Sequence, residues 1–153
     1  MAIEWLLFVV LVVVTLINQG VQIYIHFEAY PLLGYVGKAE FAEHIKQYEK
    51  RLTVPLMLPY VITLLSNIAL IFIRPEIVPL IGIILLLVLN VSVAGVTMGV
   101  ATPVYNRIVQ AGEAKGENMT KLMQINLLRL GLTTLSSTVL TVILYLVVAG
   151  IVN

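Results

Sequence analysis

The chain has 153 residues, the length of a single domain. Of these, 60% are hydrophobic and only 11% are charged, against about 25% charged in an average soluble domain. A soluble fold of this size cannot hide so much apolar surface, a net charge of +1 gives no hold on nucleic acid, and the lack of cysteine excludes disulfides, thiolate metal sites and thiol relays.

The first apolar stretch gives a membrane span over about 5–25, since a bilayer core needs about 20 mainly apolar residues. It is too long for a signal-peptide core, and no small-residue cleavage site follows it, so it is expected to stay as the first helix. Ala29-Tyr30-Pro31 should then break the chain. Over about 37–53 the pattern turns helical and amphipathic: Phe41, Ile45 and Leu52 share one face, and Glu43, Lys46, Glu49 and Lys50 fall away from it. This predicts an interfacial helix running on into a second span over about 54–73, with Pro55 and Pro59 in its first turns.

Arg74-Pro75-Glu76 forms a tight turn, and a third span follows over about 77–101. Thr102-Pro103 has the form of an N-cap and first-turn proline opening a short helix, which Gly112 should end. The small, polar segment 112–118 is expected to be mobile. The fourth span covers about 122–152 and is charge-free from residue 130 onward. The fold class is therefore all-α membrane: one four-transmembrane-helix bundle over residues 1–153, with an interfacial helix between spans one and two. No internal repeat is evident.

Lys38, Lys46, Lys50, Arg51, Arg107, Lys115 and Lys121 lie in the first and third connections, while the second holds only Arg74. The positive-inside rule puts those two connections in the cytoplasm and both termini outside, in what reads as a bacterial inner membrane.

Polar residues recur at helical spacing along each span. Thr15, Asn18, Gln22 and His26 share a face, as do Glu40, His44, Tyr48, Arg51 and Pro55, and as do Asn126, Arg129, Thr133 and Ser137. Lipid cannot satisfy such groups, so the stripes should face one another. Their ionisable members gather toward the cytoplasmic ends, which predicts a polar pocket open to that side. In it His26 and His44 are the acid–base candidates and Arg129 an anion-stabilising guanidinium, with Glu40 its natural partner. Gln22, Tyr30, Glu40, Tyr48, Arg51 and Asn126 are the ligand-binding candidates. His26, His44 and Glu40 are also the donors that a metal or haem would use. The structural alternatives are ordinary: an interfacial histidine, a solvated i, i+4 pair, a snorkelling arginine. With no aspartate in the chain there is no Ser-His-Asp set, and no lysine inside a span offers a Schiff base.

The runs Gln22-Ile-Tyr-Ile-His26-Phe-Glu-Ala-Tyr30-Pro31, Phe41-Ala-Glu-His44-Ile-Lys-Gln-Tyr48-Glu-Lys-Arg51 and Pro55-Leu-Met-Leu-Pro59 resemble small bacterial four-helix membrane proteins of the DUF1772, or anthrone-oxygenase-like, group. Pro103-Val-Tyr105-Asn106 and Asn126-Leu-Leu-Arg129 fit the same pattern, although Tyr105 stands where a histidine is common and Leu127 where an aromatic is. The resemblance implies a pocket under the first connection and, for some members, oxygenation of polycyclic aromatic compounds. Three functions follow as expectations. The first is binding of a small hydrophobic or aromatic molecule, with oxidoreductase or oxygenase chemistry on it. The others are a non-catalytic accessory or scaffold subunit and a haem- or metal-binding protein. The cofactor is unknown. Partners are the lipid bilayer, the small ligand and a second copy or membrane-complex partner; Gly95 and Gly99 form a small-xxx-small pair that can bring helices close within the bundle or between protomers, the use within the bundle being the one expected.

Overall fold

Four helical rods, each long and apolar enough to cross a membrane, run over Ile3–Leu33, Phe41–Phe72, Leu80–Ala111 and Gly116–Val148 in a computed structural model that describes residues 2–150. The first rod joins α1 (Ala2–Tyr24) through a π-turn (Ile25–Ala29) to α2 (Tyr30–Leu33), and the second is α3 (Phe41–Phe72). The third joins α4 (Leu80–Val96) through another π-turn (Thr97–Ala101) to α5 (Thr102–Ala111), and the fourth is α6 (Gly116–Val148). The chain is thus an all-α four-helix membrane protein, without strands among the described residues. The far end of the expected fourth span, residues 151 and 152, lies outside them. At 1.5 Å per residue the rods are roughly 45–50 Å long, against about 30 Å of hydrocarbon, so they must project from it. The end with the first and third connections carries most of the basic residues, which favour water, and is the end expected to project.

Two expected breaks are absent. Tyr30-Pro31 does not end the first rod, and Thr102 caps nothing. A proline inside an α-helix lacks a donor, and its ring collides with the carbonyl four residues back. Here a widened turn precedes each proline: the Tyr30 N–H bonds the Ile25 carbonyl and the Thr102 N–H bonds that of Thr97, so the rods pass through Pro31 and Pro103. Thr102 Oγ1 joins in, donating to the Thr97 carbonyl at 2.9 Å. The helix expected from residue 37 opens at Phe41 and continues unbroken past Pro55 and Pro59, with Phe41 and Ile45 buried on its inner face. Gly112 ends α5 in the left-handed conformation, φ 68°, as its position predicts. The segment expected to be mobile is shorter than anticipated, since α6 already begins at Gly116.

Around the bundle each rod packs against its neighbours in sequence, and the fourth closes on the first. The interior has three layers. One apolar cluster (Ile25, Leu33, Phe41, Ala101, Ile108, Leu122) closes the projecting end, and another (Phe8, Leu11, Leu70, Ile83, Leu140, Ile143) closes the opposite end. Between them lies a buried polar layer that includes Gln22, Thr63, Asn67, Asn90, Arg129 and Ser136. Two threonine hydroxyls here bond back to their own helix, Thr63 to the Pro59 carbonyl and Thr133 to that of Arg129, while Ser136 Oγ has no partner.

The structure also reveals a repeat that the residue pattern alone does not show. Each hairpin pairs a rod containing a π-turn and proline with an unbroken rod. Asn18 and Asn90 precede Pro31 and Pro103 by the same spacing, and the second rods share Thr63, Ser66, Leu70 and Thr133, Ser136, Leu140, all buried. Aligned on these residues, Arg129 takes the place of Pro59. The repeat lies in backbone irregularity and a few small polar residues, not in a motif, which is why it is invisible in the letters.

One glycine is set by close packing. A Cβ at Gly82 would stand 2.6 Å from Ile143 Cδ1. Gly82→Val is expected to lower stability by about 1–3 kcal/mol through overpacking between α4 and α6, read as an earlier thermal unfolding midpoint. At Gly95 and Gly99, by contrast, a Cβ would meet nothing within 4 Å, so the pair assigned to packing inside the bundle does not serve it.

Candidate functional site

The face of α6 that turns inward repeats every three or four residues: Leu122, Ile125, Arg129, Thr133, Ser136 and Leu140. Packing that stripe against the other rods carries Arg129 into the polar layer, where it is 4% exposed. Its Nε has no acceptor, and no carboxylate lies within ion-pairing distance of it among the described residues. Glu40, the expected partner, is exposed at the start of α3. The expected Glu40–Arg129 pair does not form, because Glu40 precedes the first turn of the rod instead of lying along it.

Two cavities meet at Arg129. The first, about 180 Å³, lies toward the projecting end and is lined by Tyr30, Tyr48, Glu49, Tyr105 and both π-turns through Ile25, Thr97 and Ala101. Tyr105 donates to Glu49 Oε1 at 3.2 Å across it. The second, about 270 Å³, runs deeper between α3 and α4 and is mostly apolar, with Asn18, Gln22, Tyr60 and Asn90 as its polar wall. Asn18 Nδ2 donates to Thr63 Oγ1 at 2.7 Å, and the Tyr60 hydroxyl donates to the Asn90 carbonyl. Gln22 Oε1 is buried without a partner. Leu56, Thr97, Thr102 and Arg129 border both cavities.

Of the residues singled out in the sequence, the structure brings together Asn18, Gln22, Tyr30, Tyr48, Tyr105, Arg129 and Thr133 around these cavities. It places the others elsewhere. His26 is half-buried, with Nδ1 3.4 Å from Nδ2 of the fully buried Asn126, and its ring meets Phe27 edge-on. His44, Glu40 and Arg51 are exposed and line neither cavity, as are Glu28 and Arg107. Among the described residues no three His, Cys, Asp or Glu side chains are grouped to hold a metal.

Leu56 and Tyr60 are cavity residues that the sequence patterns above do not single out. A signal for them exists: Tyr48, Leu52, Leu56 and Tyr60 continue the four-residue stripe of Glu40 and His44 down the rod. It is hidden because the stripe changes from polar to apolar as it enters the bilayer. Comparison of the chain with protein-family models, with curated proteins and with solved structures gives no match to any of them.

Proposed function

We propose that this membrane protein binds a small, largely apolar molecule whose polar head meets Arg129, with the body filling the second cavity. The observation that carries this reading is the buried guanidinium, with no carboxylate in ion-pairing distance among the described residues, at the junction of the two cavities. A charge withdrawn from water is costly unless it is paired, and a bound head group would pair it. Taken together the cavities reach the few hundred Å³ usual for a small-molecule site, which is mainly apolar with a few convergent polar groups. Tyr48, Tyr30 and Gln22 would hydrogen-bond the ligand around its head. The same chemistry would serve an aromatic ligand of the kind that the resemblance implies. In this reading the two histidines are not the acid–base pair, since neither borders a cavity.

The test is retention of a small molecule by purified protein, compared with Leu56→Trp, which would obstruct the junction of the two cavities without altering a charge. The expected result is a compound enriched well above bulk lipid in the native protein and lost from the variant. Identical small-molecule profiles for the two proteins would sink the reading.

A further inference from the structure

We infer that the ligand is a single-chain amphiphile with a carboxylate head, and that it reaches Arg129 sideways from the bilayer, between the second and third rods. This rests on the reading that the joined cavities hold a ligand, and names its class and its route.

Charge sets the head. The Arg129 guanidinium presents a planar fork of N–H donors that matches a carboxylate in bidentate fashion, and its Nε–H has no acceptor in the protein. Among the described residues it is the one cation bordering either cavity. Glu49 lines the first cavity and has Tyr105 as its donor, so it adds negative charge on that side. One positive charge with a carboxylate nearby suits a monoanion better than a phosphate of higher charge.

Depth and opening set the route. Arg129 stands about 28 Å from the Val148 end of α6, near the edge of a hydrocarbon layer about 30 Å thick. From that level the second cavity runs toward the bilayer centre, so a head at Arg129 and a chain in the cavity lie as an amphiphile lies in its own leaflet. The cavity lip is apolar and outward-facing, formed by Met57, Val61 and Met98, the last 71% exposed. The seam on the opposite side, between the first and fourth rods, is instead joined by Gln19 Nε2 donating to Thr134 Oγ1 at 2.7 Å. Among the described residues, the lip of the second cavity thus lies on the side of the second and third rods, away from that bridged seam. A cavity of this size takes part of one chain, the rest passing through the lip into the bilayer, and leaves no room for a diacyl lipid.

The experiment uses the full chain in nanodiscs of neutral lipid, photolysed with a fatty acid bearing a diazirine in its chain, with the methyl ester of that acid, and with the matching alkyl phosphate. Labelled residues are located by peptide mass spectrometry. The acid is expected to label the second-cavity lip about tenfold or more above the ester, and unlabelled oleic acid should compete. Arg129→Gln should bring the acid down to the ester's level, and Arg129→Lys should keep most of the difference. Ala94→Trp, which blocks the lip and leaves Arg129 in place, should reduce labelling by both. Equal cavity labelling by acid and ester would overturn the anionic head but leave a ligand site standing. Stronger labelling by the phosphate would overturn the carboxylate. Labelling that avoids the cavity with every compound would overturn both this inference and the ligand site itself. If Arg129→Gln does not fold, the acid-to-ester ratio on native protein decides alone.

Discussion

Replacing Arg129 with methionine is expected to stabilise the ligand-free protein while abolishing ligand retention. The two side chains are of similar length, and methionine adapts to irregular space. Arginine at this position is desolvated without a carboxylate to offset that cost. Exchange of buried charged groups for apolar ones of similar volume is often neutral or stabilising by about 1–4 kcal/mol. The check is thermal unfolding in nanodiscs, native against Arg129→Met, after small molecules have been stripped from both. A higher midpoint with no bound ligand would show that the charge is kept for binding at the expense of stability. A lower midpoint, with any bound compound retained, would make Arg129 a structural group.

Removing Gly99 is expected to disrupt the projecting end of the third rod. The π-turn holds one residue more than an α-turn, so deleting that residue lets the turn close to the α form, the Thr102 N–H keeping the Thr97 carbonyl as an ordinary helical partner. Pro103 would then meet a regular helix, its ring against the carbonyl four residues back, and the widened turn that Thr97 and Ala101 give the first cavity would close. A proline in a helix interior costs about 3 kcal/mol. The deletion should therefore open this end to trypsin at Arg107 and lose the first cavity. Gly99→Ala is the control. A Cβ there meets nothing within 4 Å, so its proteolytic pattern should match the native one. A deletion variant as resistant as native protein would mean that the π-turn is dispensable.

The membrane architecture was legible because hydropathy is a property of long windows, and four such windows stand apart in the chain. The polar stripes on rods one and four were legible for a related reason: an amide or guanidinium on an inward face has no other place to go, so Gln22 and Arg129 were found by spacing. The helix ends were not. Pro31 and Pro103 carry the ordinary signal for a stop, and only an added hydrogen-bond register, invisible in residue types, lets the rods continue. That same extension explains why Glu40 and His44 miss the site. The second rod begins far above the polar layer, and its first turns are outside the bundle's reach, so residues that share a stripe differ in depth by several turns. Periodicity gives direction around a helix and says nothing of height.

The likeness of the two hairpins carries a consequence of another kind. Two copies of one hairpin, meeting as separate molecules, would have to place the same side chain at both equivalent positions. A guanidinium where Arg129 stands would then face its twin across the same interior, and two uncompensated cations would share one small low-dielectric space. With both hairpins in one polypeptide, the position of Pro59 can stay uncharged while its counterpart carries the charge. The connection through Arg74-Pro75-Glu76 therefore does more than hold the halves together: it makes a lopsided interior permissible, one half serving as frame and the other as host.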